Sequence, residues 1–189
     1  MKYKTVVIDP PWPIKIGPDM KRVLQGSSLR DELDYKTMTE QELRDFPIND
    51  FAAEKALLFL WCTNSKLTNG RPCLQTALEM LEYWGFKYRI TLVWLKSSGY
   101  AIWQPFRGTT EFILFATRNV HNVPPYGYYS NVFEWPLTKH SEKPAGFYQM
   151  LRSWSPKPRI DIFARNAHVG FDGWGDEYVG EGPLQEFLE

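Results

Sequence analysis

A chain of 189 residues with 22 basic and 22 acidic side chains carries no formal net charge at pH 7, which excludes a generally basic coat for nucleic acid. Its 43% hydrophobic content excludes a disordered chain, and a domain of this length buries about 70% of its unfolded surface without disulfides or structural metals. Aromatic residues are in excess, with 8 Trp, 10 Tyr and 12 Phe, so neutrality combined with many flat rings needs a reason.

In chain order, residues 5–8 form an apolar, β-branched run that stops at Asp9-Pro10-Pro11, where proline ends ladder pairing; this reads as a buried strand feeding a loop. Residues 13–37 are polar and mixed in charge. Thr39-Glu40-Gln41-Glu42 has the capping-box pattern, so a short helix begins there. A second buried strand is expected over 56–61. A helix follows over 72–84, with Leu74, Ala77, Leu78, Leu81 and Trp84 on one face, Pro72 early and Gly85 at its end.

Residues 90–95 and 112–115 read as two further strands separated by a loop of Gly, Pro and aromatic residues. A second long loop covers 118–131, and Phe147, Met150, Leu151 and Trp154 then keep helical spacing after Pro144. Residues 159–163 read as the last central strand. Strands alternating with helices imply an α/β layer fold, with no linker or repeat to divide it, so residues 1–189 are expected to form a single domain. Ligands of such a sheet sit outside the carboxyl ends of its strands, which points to the residues after Ile8 and after Phe163.

Cys62, Cys73, His121, His140 and His168 show neither a disulfide framework nor a metal spacing, so no metal and a reducing compartment are expected. No run approaches the ~20 apolar residues of a membrane span, and residues 1–4 lack a signal peptide's apolar region. The expectation is a soluble, unexported protein without a membrane partner.

Asp9-Pro10-Pro11-Trp12 places a carboxylate at a strand end, followed by two residues of fixed φ and a large ring. The Asp9 carboxylate and a carbonyl oxygen then form a pair of acceptors suited to the two N–H bonds of an NH2 group, with Trp12 placed to stack on a base for ~1–3 kcal/mol. The plainer alternatives are a turn with Trp12-Pro13 plugging the core, or a polyproline ligand for an aromatic groove.

The ordered set of Val6-Val7-Ile8-Asp9-Pro10-Pro11-Trp12, Leu58-Phe59-Leu60-Trp61, Val93-Trp94-Leu95-Lys96, His140-Ser141-Glu142-Lys143-Pro144, Ile160-Asp161-Ile162-Phe163-Ala164-Arg165 and Gly173-Trp174-Gly175-Asp176-Glu177 resembles the adenine-N6 methyltransferases, typified by the catalytic subunit of the eukaryotic messenger-RNA enzyme, with bacterial and phage members that act on DNA. The resemblance implies a Rossmann-like S-adenosylmethionine-dependent methyltransferase fold, permuted so that the catalytic motif precedes the donor-binding strand. It also implies S-adenosylhomocysteine as the product. Asp9 and the Pro10 carbonyl then receive the target amino group, and Pro11 and Trp12 shape its pocket. Lys143 pairs with the donor carboxylate, Asp161 and Arg165 bind its ribose, and Asp176 and Glu177 flank its adenosine half. Asn166 and His168 are further donor-side residues, displaced from the usual family spacing. Tyr35, Glu111 and Arg107 are substrate-side residues.

The chain begins eight residues before Asp9. The wall against the donor adenine is therefore expected from residues 165–180, from a partner, or to be open. Resemblance to the bacterial and phage members implies a cytoplasmic enzyme acting on DNA, single-stranded or with a flipped base. Lys15, Lys21, Arg22, Arg30, Lys96, Arg107 and Arg118, with Tyr100, Trp103, Phe106 and Tyr126, make the candidate single-strand platform. An RNA adenosine methyltransferase, a non-catalytic nucleic-acid-binding subunit, and transfer to cytosine-N4 or a glutamine amide stand as alternatives, as does a homodimer or a heteromeric partner.

Overall fold

The β-branched run at the N-terminus forms β1 (Tyr3–Ile8), and the next apolar run forms β2 (Ala52–Thr63), longer than the core 56–61. The structure is a computed structural model and describes residues 1–15, 36–96, 101–103, 106–121, 129–136, 142–176 and 178. Its other elements are α1 (Glu40–Asp45), α2 (Ile48–Phe51), α3 (Cys73–Tyr83), β3 (Lys87–Lys96), β4 (Ala101–Trp103), β5 (Phe106–Gly108), β6 (Thr110–Arg118), β7 (Val132–Trp135), α4 (Ala145–Trp154), β8 (Arg159–Ile162) and β9 (Asp172–Trp174).

Seven strands form one sheet in the order β7-β3-β6-β2-β1-β8-β9, and β4 pairs with β5 as a separate hairpin. Within the large sheet β6 runs against β2 and β3, while the other described pairings are parallel. Parallel strands need cover on both faces. Alternation along β1 and β2 supplies it: Val6, Ile8, Leu58 and Leu60 face one apolar cluster with α1, α2 and α3, whereas Val7, Leu57, Phe59 and Trp61 face another with α4.

The local signals explain the helix limits. Glu42 N–H donates to Thr39 Oγ1 at 3.2 Å and Thr39 N–H to Glu42 Oε2 at 2.7 Å, closing the capping box at α1, a cap worth ~1 kcal/mol. Pro72 precedes α3, and Gly85 takes φ +76 just past its end, a left-handed turn that glycine makes without Cβ strain.

Among the described residues most of the aromatic excess is structural. Trp61, Trp84 and Trp94 are buried, and Phe59 stacks on Phe115 at 4.9 Å between ring centroids. Trp61 meets Phe147 edge-on at 5.0 Å. Trp174 packs among Phe46, Phe51 and Phe163. The region read as one loop between residues 96 and 112 contains the β4–β5 hairpin, and residues 118–131 lead into the short strand β7. Among the described residues no helix is long and apolar enough to cross a membrane.

Candidate active site

β1 and β8 are adjacent and parallel, pairing Val7 with Asp161 and Ile8 with Ile162, so both end at one edge of the sheet. Asp9 N–H still donates to Ile162 O at 3.3 Å; the prolines then take the chain out of the ladder. Trp12 N–H donates to Pro10 O at 2.8 Å, Ile14 N–H to Trp12 O at 2.8 Å, and Met38 N–H to Pro11 O at 3.0 Å. The Pro10 carbonyl therefore has a local partner, which occupies one of its two lone pairs and leaves the other.

The turn after β8 is also unusual. Phe163 has φ 61, a left-handed conformation costly for an aromatic residue. Its ring is held by Phe46 at 5.0 Å and Trp174 at 5.5 Å, so packing fixes the strained turn that opens the cleft.

Asp9, Lys143, Asp161, Arg165, Asn166 and His168 line this one cleft, with an enclosed volume of about 130 Å³. That is below the roughly 300 Å³ of a small-molecule site, so a nucleoside-sized ligand fits here only by extending onto the open rim. Of the polar lining residues, the sequence reading missed Glu142 and Tyr148. Glu142 sits beside Lys143 in the motif already singled out. Tyr148 looked like one more apolar position of α4, yet its hydroxyl donates to Asp161 Oδ2 at 2.8 Å and its ring stacks on His168 at 3.5 Å.

Charges in the cleft are strongly coupled. Lys143 Nζ is 3.1 Å from Asp9 Oδ2 and 3.1 Å from Glu111 Oε2, and lies over the Trp61 ring at 4.7 Å. Glu111 is held on its other oxygen by Lys96 Nζ at 2.5 Å. Burial opposes charge on Glu111, but Lys143 and Lys96 outweigh it and hold the carboxyl at about 2. Burial likewise opposes charge on Lys143, and the two carboxylates outweigh it, so Lys143 is held above the ordinary lysine value.

Asp9 goes the other way. Burial raises its carboxyl above the ordinary value, against the pull of Lys143 and Arg165 and with a push from Glu111. Its side chain nevertheless keeps 34% of its surface open, so it remains reachable. Asp161 is 3% exposed, and burial pushes it up to about 7 although Tyr148 donates to it. His168 Nε2 lies 3.7 Å from Asp161 Oδ2, beyond hydrogen-bond range, and burial lowers the imidazole toward neutrality.

Other expected site residues fall elsewhere. Trp12 is 4% exposed and its Nε1–H donates to Trp61 O at 3.0 Å, so it forms a packed wall rather than an open stacking platform. The core-plug reading describes this arrangement better. Asp176 is exposed and does not line the cleft. Glu111 reaches the cleft through Lys143. Tyr35, Glu177, Tyr100 and Tyr126 and the platform cations Lys21, Arg22 and Arg30 lie outside the described residues, as do the side chains of Trp103 and Arg107.

A mixed, largely parallel sheet with a carboxylate-Pro-Pro-Trp turn after one central strand and a buried carboxylate on the next defines a Rossmann-like methyltransferase domain. The chain belongs to the MT-A70 family, whose model matches residues 3–177. It is 28% identical over 198 residues to the type II methyltransferase M.MunI of Mycoplasma sp, an alignment covering 93% of this chain and 78% of that enzyme. It is 25% identical to the human N(6)-adenine-specific methyltransferase METTL4, over 94% of this chain and 38% of the relative. With the human N(6)-adenosine-methyltransferase catalytic subunit METTL3 the figures are 26% identity, 89% and 26%. The chain thus spans most of the Mycoplasma enzyme and well under half of the human ones.

Proposed function

We propose that this domain transfers a methyl group from S-adenosylmethionine to the N6 amino group of adenine in nucleic acid, with DNA as the favoured substrate. The observation that carries the reading is the convergence of Asp9, Lys143 and Asp161 on one cleft at the shared end of β1 and β8. DNA is favoured because the relative aligned over most of its own length is a type II methyltransferase.

The residues fit the donor. Asp161 is a buried carboxylate with free acceptor capacity at a strand end, where ribose hydroxyls are bound in related sheets. Arg165 stands beside it on the cleft wall, and Lys143, already paired with Asp9 and Glu111, is the ammonium for which a donor carboxylate competes. When bound, S-adenosylmethionine supplies a methyl already activated by its sulfonium. The protein then has to align and desolvate, a contribution of ~7–11 kcal/mol where geometry is right.

Asp9 and the second lone pair of Pro10 O accept the two N–H bonds of the amino group and turn its nitrogen toward the cleft. A carboxyl raised by burial accepts a proton more readily than an ordinary one, so Asp9 is suited to receive the proton the nitrogen sheds. The target base has to leave its stack to reach this edge of the sheet.

Incubation with labelled donor and matched single- and double-stranded DNA and RNA, followed by identification of the modified nucleoside, tests the reading. N6-methyladenine is the expected product, with DNA preferred. Methylcytosine, or preference for RNA, overturns the corresponding part. Absence of both incorporation and donor binding overturns the enzyme reading.

A further inference from the structure

At the end of the sheet opposite Asp9 lies a second cavity, of about 330 Å³. Lys87 and Arg89 from the start of β3, Arg118 from the end of β6, and His121 beyond it contribute to its lining, and among the described residues no carboxylate does. Antiparallel pairing of Lys87 with Thr117 is what brings the cations of two strands to one edge.

Two of these charges are fixed by neutral acceptors. Arg118 lies over the Phe86 ring at 4.6 Å and donates to Ala52 O at 3.1 Å, Ala53 O at 2.9 Å and Asn49 Oδ1, while its Nε–H is buried with no acceptor. Arg89 donates through Nε to Thr117 Oγ1 at 2.8 Å and through Nη2 to Val120 O at 2.9 Å. Carbonyls and hydroxyls orient a guanidinium without neutralising it. Among the described residues Lys87, Arg89 and Arg118 form no ion pair, whereas Arg44 and Arg71 pair with Glu79, and Lys96 with Glu111. Glu54 and Glu82 adjoin this end through backbone carbonyls that accept from Asn119 and Gly85, but neither lines the cavity. Residues 122–128 add no acidic side chain to the sequence.

Arginines serving only to tie down strand ends have no use for the exposed Lys87 beside them, since like charges brought together repel. The remaining Nη donors of Arg89, the fixed positive charge of Arg118 and the Lys87 ammonium around a cavity without a carboxylate among its described lining instead match a phosphate group. We propose that this cleft binds a backbone phosphate of the nucleic acid under modification, as a second contact remote from the Asp9 cleft. It rests on the nucleic-acid reading above. Glu111 and Arg118 are seven residues apart on β6, hence about 24 Å. A strand spanning both clefts must therefore cover about seven base-pair steps of duplex.

The test is fluorescence anisotropy with labelled DNA of about five and about twenty base pairs at several salt concentrations, on either side of that span. Lys87→Glu weakens the longer DNA by about tenfold and lowers its salt slope by roughly 1–2, leaving the shorter DNA and donor affinity unchanged. Arg89→Ala acts in the same direction, and Lys87→Arg restores wild-type binding. Equal losses at both lengths, or no loss, overturn the proposal. Inorganic phosphate shifting the His121 resonances while Lys87→Glu leaves long-DNA affinity intact assigns the cleft to a free anion and overturns it too. Wild-type protein that binds donor but neither DNA overturns the substrate reading itself, and the proposal falls with it.

Discussion

Lys143 Nζ stands 3.1 Å from Asp9 Oδ2 and at the same distance from Glu111 Oε2, so a single ammonium joins the turn after β1 to the carboxylate on β6. Lysine expected to meet the donor carboxylate is thus already committed to the two acidic groups of the substrate side. Under the proposed function, donor binding and amino-group binding are coupled through this cation.

Replacing Asp9 separates these roles. Asp9→Asn keeps the shape of the side chain and leaves Lys143 its Glu111 partner, so donor binding measured by calorimetry persists. Methyl transfer falls by ~100-fold or more, because the acceptor of one N–H and of the shed proton is lost. Transfer within a few-fold of wild type would remove Asp9 from the chemistry.

Glu111→Gln tests the coupling in the other direction. With one competing carboxylate neutralised, Lys143 is freer to meet the donor carboxylate, and donor affinity rises by about two- to fivefold, the scale of one partly exposed ion pair. Turnover on nucleic acid falls in the same variant. Weaker donor binding would show that Lys143 depends on Glu111 for its position rather than competing for it.

How far these features were legible in the sequence follows from the range of the forces involved. The strands, the capping box at Thr39 and the Pro72 and Gly85 limits of α3 are local patterns, and all appear in the structure. Asp9 and five residues expected on the donor side line one cleft because strand ends converge once sheet order is set. Tyr148 was not read and Lys96 was read as a platform cation, since each matters through one long-range partner, Asp161 and Glu111, that leaves no local mark. Strands β7 and β9, of four and three residues, are too short to show a period. Trp12 allowed two readings in the sequence, because a ring after a functional motif looks alike whether it faces a base or the core.

Asp161 predicts a pH signature. Its carboxyl moves from 3.8 in the unfolded chain to about 7 in the fold, so within that window the folded state holds a proton that the unfolded state has released. This contribution to stability is present at low pH, is lost as pH rises toward about 7, and is constant above it. Asp161→Asn removes that slope. Thermal unfolding of both proteins between pH 5 and about 8 reads the difference, which isolates Asp161 from the opposite trend of buried His168. Donor affinity of the wild type rises over the same window as the ionised acceptor forms. A parallel pair of stability curves contradicts the assignment.

Trp12 distinguishes wall from platform. Its indole is 4% exposed and spends its N–H on Trp61 O, the strand residue whose ring also lies under Lys143. Trp12→Phe leaves that carbonyl without its side-chain donor and trims the packed ring, costing ~1 kcal/mol or somewhat more. For a domain of this size that lowers Tm by about 2–4 °C. Trp12→Ala is far more damaging, at ~3–5 kcal/mol. A stacking platform gives a different pattern: unchanged Tm and a raised KM for nucleic acid, because phenylalanine still packs but stacks less well. The burial and the hydrogen bond favour the first pattern, in which loss of transfer follows from displacement of the Asp9 turn that Trp12 anchors.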